Sequence, residues 1–511
     1  MKVPLTVSDF LYRAENVYPD RVALVDEPDA PGGGLGEITW RRFGDLARAQ
    51  ASRLDELGIG PGERVAMVSQ NAGRLMTSFY GVSGFGRVFV PINFRLSRDE
   101  IAFIVDHCGA SMLLVDPSME DAAKDIDVDR FVVMGTDADD QMYRPDVEPA
   151  PWHPDEDATA TVNYTSGTTA RPKGVQQTHR SLWLNAATFG WHSGVSDRDI
   201  YLHTLPMFHC NGWGMPFAAT GMGAKHVVLR EVRGDEILRR VEAHGVTLMC
   251  GAPAVVTAVL DAAADWEGAI PGAGRVRMVV AGAPPPTRTI ARMETELGWE
   301  FIQIYGLTET APLLTMNRCR PEWDHLEPEP RARLLARAGA PAIGVKIAID
   351  DEGEILARSN VVLEAYWNQP EATAEAVVDG WFHTGDGGTL DDEHHVTISD
   401  RKKDVIISGG ENVSSIEVED VVFGHPAVAE VAVIGVPHEK WGETVKALVV
   451  RADGAEVSER DLIDYCRGQM AHYKCPTSVE FRDELARTAT GKLQKFKLRA
   501  PYWEHMDKQV N

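Results

Sequence analysis

The stretch YTSGTTARPKGV, Tyr164 to Val175, decides how the rest of the chain is read. It follows an alternating segment, TATVNY (159–164), that fits a strand, and it precedes a helix expected to begin near Thr178. A strand, then a loop dense in Ser, Thr and Gly, then a lysine, is how a backbone approaches phosphate oxygens. Gly167 and Gly174 permit close approach, hydroxyls at Thr165, Ser166, Thr168 and Thr169 donate, and Lys173 adds a point charge. The spacing is not that of a Walker A loop. A plain polar loop uses the same residue types, so context must decide.

Around this stretch, strand-like and helix-like segments alternate. Thr39 can cap a helix to about Leu57, with Trp40, Phe43, Leu46, Ala47, Leu54 and Leu57 on one apolar stripe and Gly58, Gly60 and Pro61 stopping it. Segments 64–69, 87–92, 111–116 and 130–135 read as buried strands, and the rhythm continues through 227–230, 246–253 and 276–282. The pattern predicts an α/β fold: a large N-terminal body of several subdomains with largely parallel sheets. Near residue 400 the texture changes. A charge cluster, DRKKD (400–404), follows a short strand at 394–399. Beyond it come a helix at 415–424, strands at 429–436 and 444–450, and a helix from about Ser458. The expected domains are therefore a body at 1–399 and a small α+β C-terminal domain at 400–511, with a hinge near 400–404.

Composition narrows the function. The 511 residues carry 51 Lys plus Arg against 76 Asp plus Glu, a formal net charge of −25. That balance argues against broad binding of nucleic acid or anionic membrane. Any anionic ligand must be held by a local device. Cys108, Cys210, Cys250, Cys319, Cys466 and Cys475 are scattered without metal-ligand spacing, so reduced thiols are expected rather than a zinc site. No stretch approaches the ~20 apolar residues of a membrane span, and the N-terminus is polar within a few residues. A cytoplasmic protein is the expectation.

Five further segments follow the first loop in fixed order: AGAPPP (281–286), IYGLTETAP (304–312), WFHTGD (381–386), DRKKDVIISGGENVSSIEVE (400–419) and RTATGKLQK (487–495). Together the six resemble the adenylate-forming superfamily, which contains acyl-CoA synthetases, peptide-synthetase adenylation domains and firefly-type luciferases. The resemblance spans nearly the whole chain. It implies a two-step ligation: a carboxylate attacks the α-phosphorus of ATP, giving acyl-adenylate and pyrophosphate, and a thiol, usually of coenzyme A, then displaces AMP. At 4 Å, two like charges repel by about 1 kcal/mol in water and about 4 at an effective dielectric of 20. Mg²⁺ and lysines are thus expected nearby.

The resemblance also implies roles. Glu309 matches the Mg²⁺ ligand, a hard oxygen donor suited to that ion. Thr308 would bond the α-phosphate, Tyr305 with Gly306 would lie near the adenine, and Gly282, Ala283 and Pro284 would form the strip against the base. Asp386 matches the acceptor of both ribose hydroxyls, and Arg401 would reach ribose or phosphate from the hinge side. Lys492 matches the lysine that contacts carboxylate and α-phosphate, on a domain that docks for the first step and rotates away for the second. Lys403 occupies the hinge position. Gly409 and Gly410 would let the pantetheine arm pass, with Trp441 and Glu443 as weaker candidates near the thiol channel. His209 matches a histidine at the acyl end of the pocket. Two positions depart from the family pattern: Ala170 stands where Gly is common, and Ala486-Arg487-Thr488 lacks the usual proline. Both imply altered loop stiffness rather than lost chemistry.

PMFHCNGWG (206–214) and RPEWDHLEPEPRARLLARAG (320–339) resemble the branch of short- and medium-chain, methylthiopropionate and cinnamate-type CoA ligases. The expected activity is that of a free-standing carboxylate–CoA ligase for a medium-sized aliphatic or aryl acid, acting as monomer or homodimer. Pocket walls are expected from 205–215, 281–286 and 303–314, with Trp213 pointing to an apolar tail. The alternatives are relatives that pass the adenylate to an amine or carrier protein, or that activate nitrite for diazotisation. A luciferase-type oxygenase has no support. A nucleotide-sensing pseudoenzyme should have lost Lys492, Glu309 or Asp386, and all three are present.

Overall fold

Runs of buried branched residues supply the parallel strands. Every residue of Val88–Ile92 is buried, and so are four of five in Arg64–Val68, as a sheet covered on both faces requires. The computed structural model describes residues 1–144, 148–165, 172–283, 285–401, 404–408, 411–438, 441–487 and 493–503, and of Arg401 and Asn412 the backbone alone.

Two large sheets build the body. The first runs Ala340–Pro341, Leu313–Arg318, Glu300–Gly306, Arg277–Val280, Leu248–Gly251, Ile200–His203, Lys225–Val228, Val22–Val25 and Glu37–Thr39. Its six inner strands, Glu300–Gly306 through Val22–Val25, are parallel. The second runs Ala365–Tyr366, Lys173–Thr178, Thr159–Thr165, Val88–Ile92, Arg64–Val68, Ala110–Val115 and Phe131–Val133. Its last five strands are parallel. The expected helix after Thr39 is Trp40–Glu56, and Thr39 Oγ1 accepts the Arg42 N–H at 3.3 Å, a cap worth about 1 kcal/mol.

The strand at 159–164 and the helix near Thr178 both form as expected, and a further strand stands between them. Lys173–Thr178 is a strand, antiparallel to Thr159–Thr165 with Thr165 opposite Lys173. The helix His179–Ser193 starts only afterwards, its first turn capped by Thr178 Oγ1 on the Ser181 N–H at 3.1 Å. Thr159–Thr165 and Lys173–Thr178 are therefore the arms of a hairpin, and Lys173 opens the second arm.

A third, antiparallel sheet was not anticipated from the sequence. Lys346–Ile349, Glu354–Arg358, Trp381–Leu390 and Val377–Val378 form it, and Val396–Arg401 pairs with Trp381–Leu390. Gly385, Gly387 and Gly388 interrupt its longest strand and erase the apolar alternation. The C-terminal unit has its own sheet of Ile406–Ser408, Glu411–Val413, Val428–His438, Gly442–Arg451 and Ser478–Phe481. The helices Ser415–Phe423 and Glu459–Gln469 flank it. Val418, Val422, Val433, Val449, Leu462 and Cys466 form its separate core. The change of sheet falls between Arg401 and Ile406. The architecture is thus α/β in the body with a smaller α+β unit.

All six cysteines are free thiols, five of them buried. Among the described residues, no helix is long and apolar enough to cross a membrane.

Candidate active site

Loops leaving the carboxyl ends of adjacent parallel strands make the crevice, the usual place for a ligand in such sheets. Arg277–Val280 leads into Ala281, Gly282 and Ala283, and the neighbouring Glu300–Gly306 leads into Leu307, Thr308 and Glu309. Gly282 has φ +99°, which suits glycine alone. At Gly306 a Cβ would collide with the Pro312 carbonyl, so the turn into Thr308 also demands glycine.

Tyr305 is 7% exposed, and its hydroxyl donates to Asp386 Oδ2 at 2.9 Å. Asp386 comes from the antiparallel sheet, where it stands opposite Arg401 in register. Behind it, Glu354 Oε1 accepts the Gly385 N–H at 2.8 Å, and Glu354 Oε2 lies 3.2 Å from His383 Nδ1. Ligand atoms of Asp350, Glu354 and His383 lie within 4.8 Å of one another. Asp350 Oδ1 accepts the N–H groups of Glu352 and Glu354 at 2.9 and 2.7 Å, which ties the hairpin.

The second constellation is Glu309, Tyr366 and Lys173. The Tyr366 hydroxyl donates to Glu309 Oε1 at 2.9 Å, and Lys173 Nζ sits 4.8 Å from the centre of the Tyr366 ring. Burial, with the nearby Glu309 carboxylate, raises the Tyr366 phenol well above its ordinary range, so it stays a donor. The Glu309 carbonyl accepts the Leu363 N–H at 2.6 Å, and the Thr308 carbonyl accepts from Gln177 Nε2 at 2.8 Å. The Thr308–Glu309 loop is thus held from three sides. Glu309 brings a hard carboxylate oxygen beside Thr308, which fits Mg²⁺.

His209 is half-buried at the start of an unusual turn. Cys210, Asn211, Gly212 and Trp213 all have left-handed backbones, with φ of 46°, 45°, 56° and 61°. Each non-glycine residue in that region costs about 1–2 kcal/mol, so the turn needs outside support. Asn185 Nδ2 donates to the Trp213 carbonyl at 3.2 Å, and Asn211 Nδ2 donates to Thr161 Oγ1 at 2.9 Å. Cys210 Sγ lies 3.9 Å from the Thr308 carbonyl, as its donor. The turn therefore abuts the Glu309 loop.

Of the residues singled out from sequence, the structure joins Tyr305 with Asp386, and Glu309 with Lys173 through Tyr366. Thr165 sits opposite Lys173, and Gly282 with Ala283 leaves the next strand's edge. Trp441 is 41% exposed and stacks on His438 with ring centres 4.6 Å apart, so it is not a core tryptophan. Glu443 is buried, and its Oε2 accepts the Ile407 N–H at 3.1 Å, bracing the strand that leads toward Gly409. Ser166, Gly167, Thr168, Thr169, Pro284, Lys403, Gly409, Gly410 and Lys492 lie outside the described residues, as does the side chain of Arg401. Sequence reasoning missed Tyr366, Gln177, Glu354 and Asn185. Tyr366 lies on a two-residue strand too short to show a period.

The sequence model of the AMP-binding enzyme family matches residues 11–367, and that of the AMP-binding enzyme C-terminal domain matches 417–492. A peroxisomal acetate/butyrate–CoA ligase of Arabidopsis thaliana is 35% identical, over 97% of this chain and 94% of its own. The 4-hydroxybutyrate–CoA ligase 2 of Metallosphaera sedula is 36% identical, over 97% and 94%. Among solved structures, an anthranilate CoA ligase in complex with anthranoyl-AMP superposes with a TM-score of 0.87 and 27% identity, over 98% of this chain and 99% of that one.

Proposed function

We propose that this chain, which belongs to the AMP-binding enzyme family and is an AMP-forming acid–CoA ligase, activates a short- to medium-length aliphatic acid or an aryl acid. ATP and coenzyme A are its co-substrates: the acid first becomes an acyl-adenylate, which then passes to the thiol. The observation that carries the site assignment is the Tyr305–Asp386 bond at one carboxyl-edge loop beside the Glu309–Tyr366–Lys173 cluster.

In this reading Asp386 accepts the ribose hydroxyls, with Tyr305 orienting the carboxylate. Thr165, Ser166, Thr168, Thr169 and Lys173 receive the phosphates, Gly167 allows their approach, and Gly282, Ala283 and Pro284 flank the base. Glu309 would hold Mg²⁺, which when bound neutralises phosphate charge. The incoming carboxylate is already an anion, so the chain's task is charge compensation and alignment rather than proton removal. Thr308 and Lys492 steady the α-phosphate, and Lys492 also contacts the carboxylate. The alkyl or aryl tail lies against the His209–Trp213 turn. The names of the relatives support this range, since they cite acetate, butyrate, 4-hydroxybutyrate and anthranilate.

The unit from residue 400 onward is proposed to alternate between two orientations about Lys403. One presents Lys492, and the other presents Gly409 and Gly410 to the pantetheine arm. A specific docking contact supports this: Asp420 Oδ1 and Oδ2 accept the Thr287 N–H and hydroxyl at 2.8 and 3.1 Å. Thr287 directly follows the 281–286 strip, so the contact ties domain orientation to the base-binding edge. A cytoplasmic enzyme of acyl or fatty-acid metabolism, monomeric or homodimeric, completes the proposal, although the Arabidopsis relative is named as peroxisomal.

A panel of carboxylates, from acetate to octanoate with benzoate and anthranilate, tests the reading by AMP and pyrophosphate release with and without coenzyme A. Acid-dependent release that rises with coenzyme A supports it. Release that requires an amine, a carrier protein or nitrite overturns it.

A further inference from the structure

We infer that Asn185 is a positioning residue for acid selectivity, setting the left-handed His209–Trp213 turn against the Glu309 loop. The inference rests on the proposed reading of that turn as the acyl wall. Asn185 is 1% exposed and spends both ends of its amide on different walls of the site. Its Nδ2 donates to the Trp213 carbonyl at 3.2 Å, and its Oδ1 accepts the Leu313 N–H at 3.1 Å, four residues beyond Glu309. A Cβ on Gly214 would collide with Asn185 Nδ2, so the glycine after Trp213 admits the amide to the turn.

The two walls do not depend on Asn185 equally. The Glu309 loop keeps three other supports: Gln177 on the Thr308 carbonyl, Leu363 on the Glu309 carbonyl, and Tyr366 on the Glu309 carboxylate. The turn is strained through Cys210, Asn211 and Trp213. Its polar ties include Asn185, the Asn211–Thr161 bond, the weak Cys210 Sγ donation to the Thr308 carbonyl, and Asn71, whose Oδ1 accepts the Met207 N–H at 2.8 Å. Losing Asn185 therefore relaxes the turn and leaves the nucleotide-facing loop in place. The tail of the acid, rather than ATP, should sense the change.

The test is steady-state kinetics of Asn185→Leu, a substitution of similar volume without the amide, beside Thr161→Val, which removes the acceptor of Asn211. Both variants should raise the KM for the preferred carboxylate about tenfold and shrink discrimination between acids differing by two methylenes by a similar factor. The KM for ATP should stay within about twofold. If Asn185→Leu does not fold, Thr161→Val alone decides. Equal shifts in both KM values, or unchanged acid selectivity in a folded variant, overturn the inference while sparing the ligase reading. An unsubstituted protein without carboxylate-dependent ATP–pyrophosphate exchange removes the ligase reading and this inference with it.

Discussion

The Tyr305 hydroxyl donates to Asp386 Oδ2 at 2.9 Å, joining residues 81 positions apart in the chain. One belongs to the carboxyl edge of the nine-stranded sheet, the other to the antiparallel sheet that follows it. The bond fixes one carboxylate oxygen and so the direction of the other, which a ribose acceptor needs.

Tyr305→Phe removes that orienting donor and keeps the ring. Hydrogen bonds to charged groups contribute about 1.5–3 kcal/mol, so the KM for ATP should rise roughly tenfold or more. The KM for the acid should change little. An unaltered ATP dependence contradicts the assignment of Asp386 to the nucleotide.

Glu309→Gln keeps the side chain's shape and its capacity to accept from Tyr366, but removes the charge. Carboxylate-dependent ATP–pyrophosphate exchange should fall about 100-fold or more. Higher Mg²⁺ should restore part of it. Full activity at ordinary Mg²⁺ argues that another group holds the metal.

How much of this was readable beforehand depended on whether local chemistry or a distant partner set each residue's place. Val88–Ile92 was clear because five consecutive buried positions need no partner to be recognised. Lys173–Thr178 was not, because Gln176 and Gln177 look like loop residues. Gln177 is buried, and its amide reaches the Thr308 carbonyl, 131 positions away. The motif residues Tyr305, Glu309 and Asp386 were identifiable by pattern, yet the pattern says nothing of Tyr366, whose two-residue strand carries no period. The left-handed backbone at Cys210 and Trp213 had no local signal beyond Gly212 and Gly214, since side chains of those types favour negative φ.

The two-orientation proposal separates the half-reactions. Lys492→Ala should abolish carboxylate-dependent exchange while largely sparing thioester formation from supplied acyl-adenylate. Asp420→Ala, which breaks the contact with Thr287, should change the ratio of the two half-reactions about tenfold, a shift of about 1.4 kcal/mol between orientations. Equal loss of both half-reactions in each variant contradicts domain alternation.

Asp400, at the proposed hinge, carries a pH signature. Burial pushes its carboxyl up to about 6, against the opposing pull of Lys495 and of the Ser415 bonds at 2.5 and 2.7 Å. A carboxyl with a folded pKa above its unfolded value near 3.8 binds more protons when folded. Its stabilising contribution is therefore complete at low pH and is lost as pH rises through 6. Relative to Asp400→Asn, the unsubstituted protein should lose about 1 kcal/mol of unfolding free energy between pH 5 and pH 7. Denaturant titrations of both proteins at the two pH values measure this. A difference of opposite sign means that the Lys495 pairing outweighs burial.

The most direct test of acyl-adenylate formation uses a carboxylate labelled with ¹⁸O on both oxygens. Attack of one of those oxygens on the α-phosphorus expels pyrophosphate. Thiol attack on the acyl carbon then releases AMP carrying that oxygen, so mass spectrometry should find one ¹⁸O in each AMP and one left in the acyl-CoA. Unlabelled AMP, or label in ADP or inorganic phosphate, contradicts the mechanism.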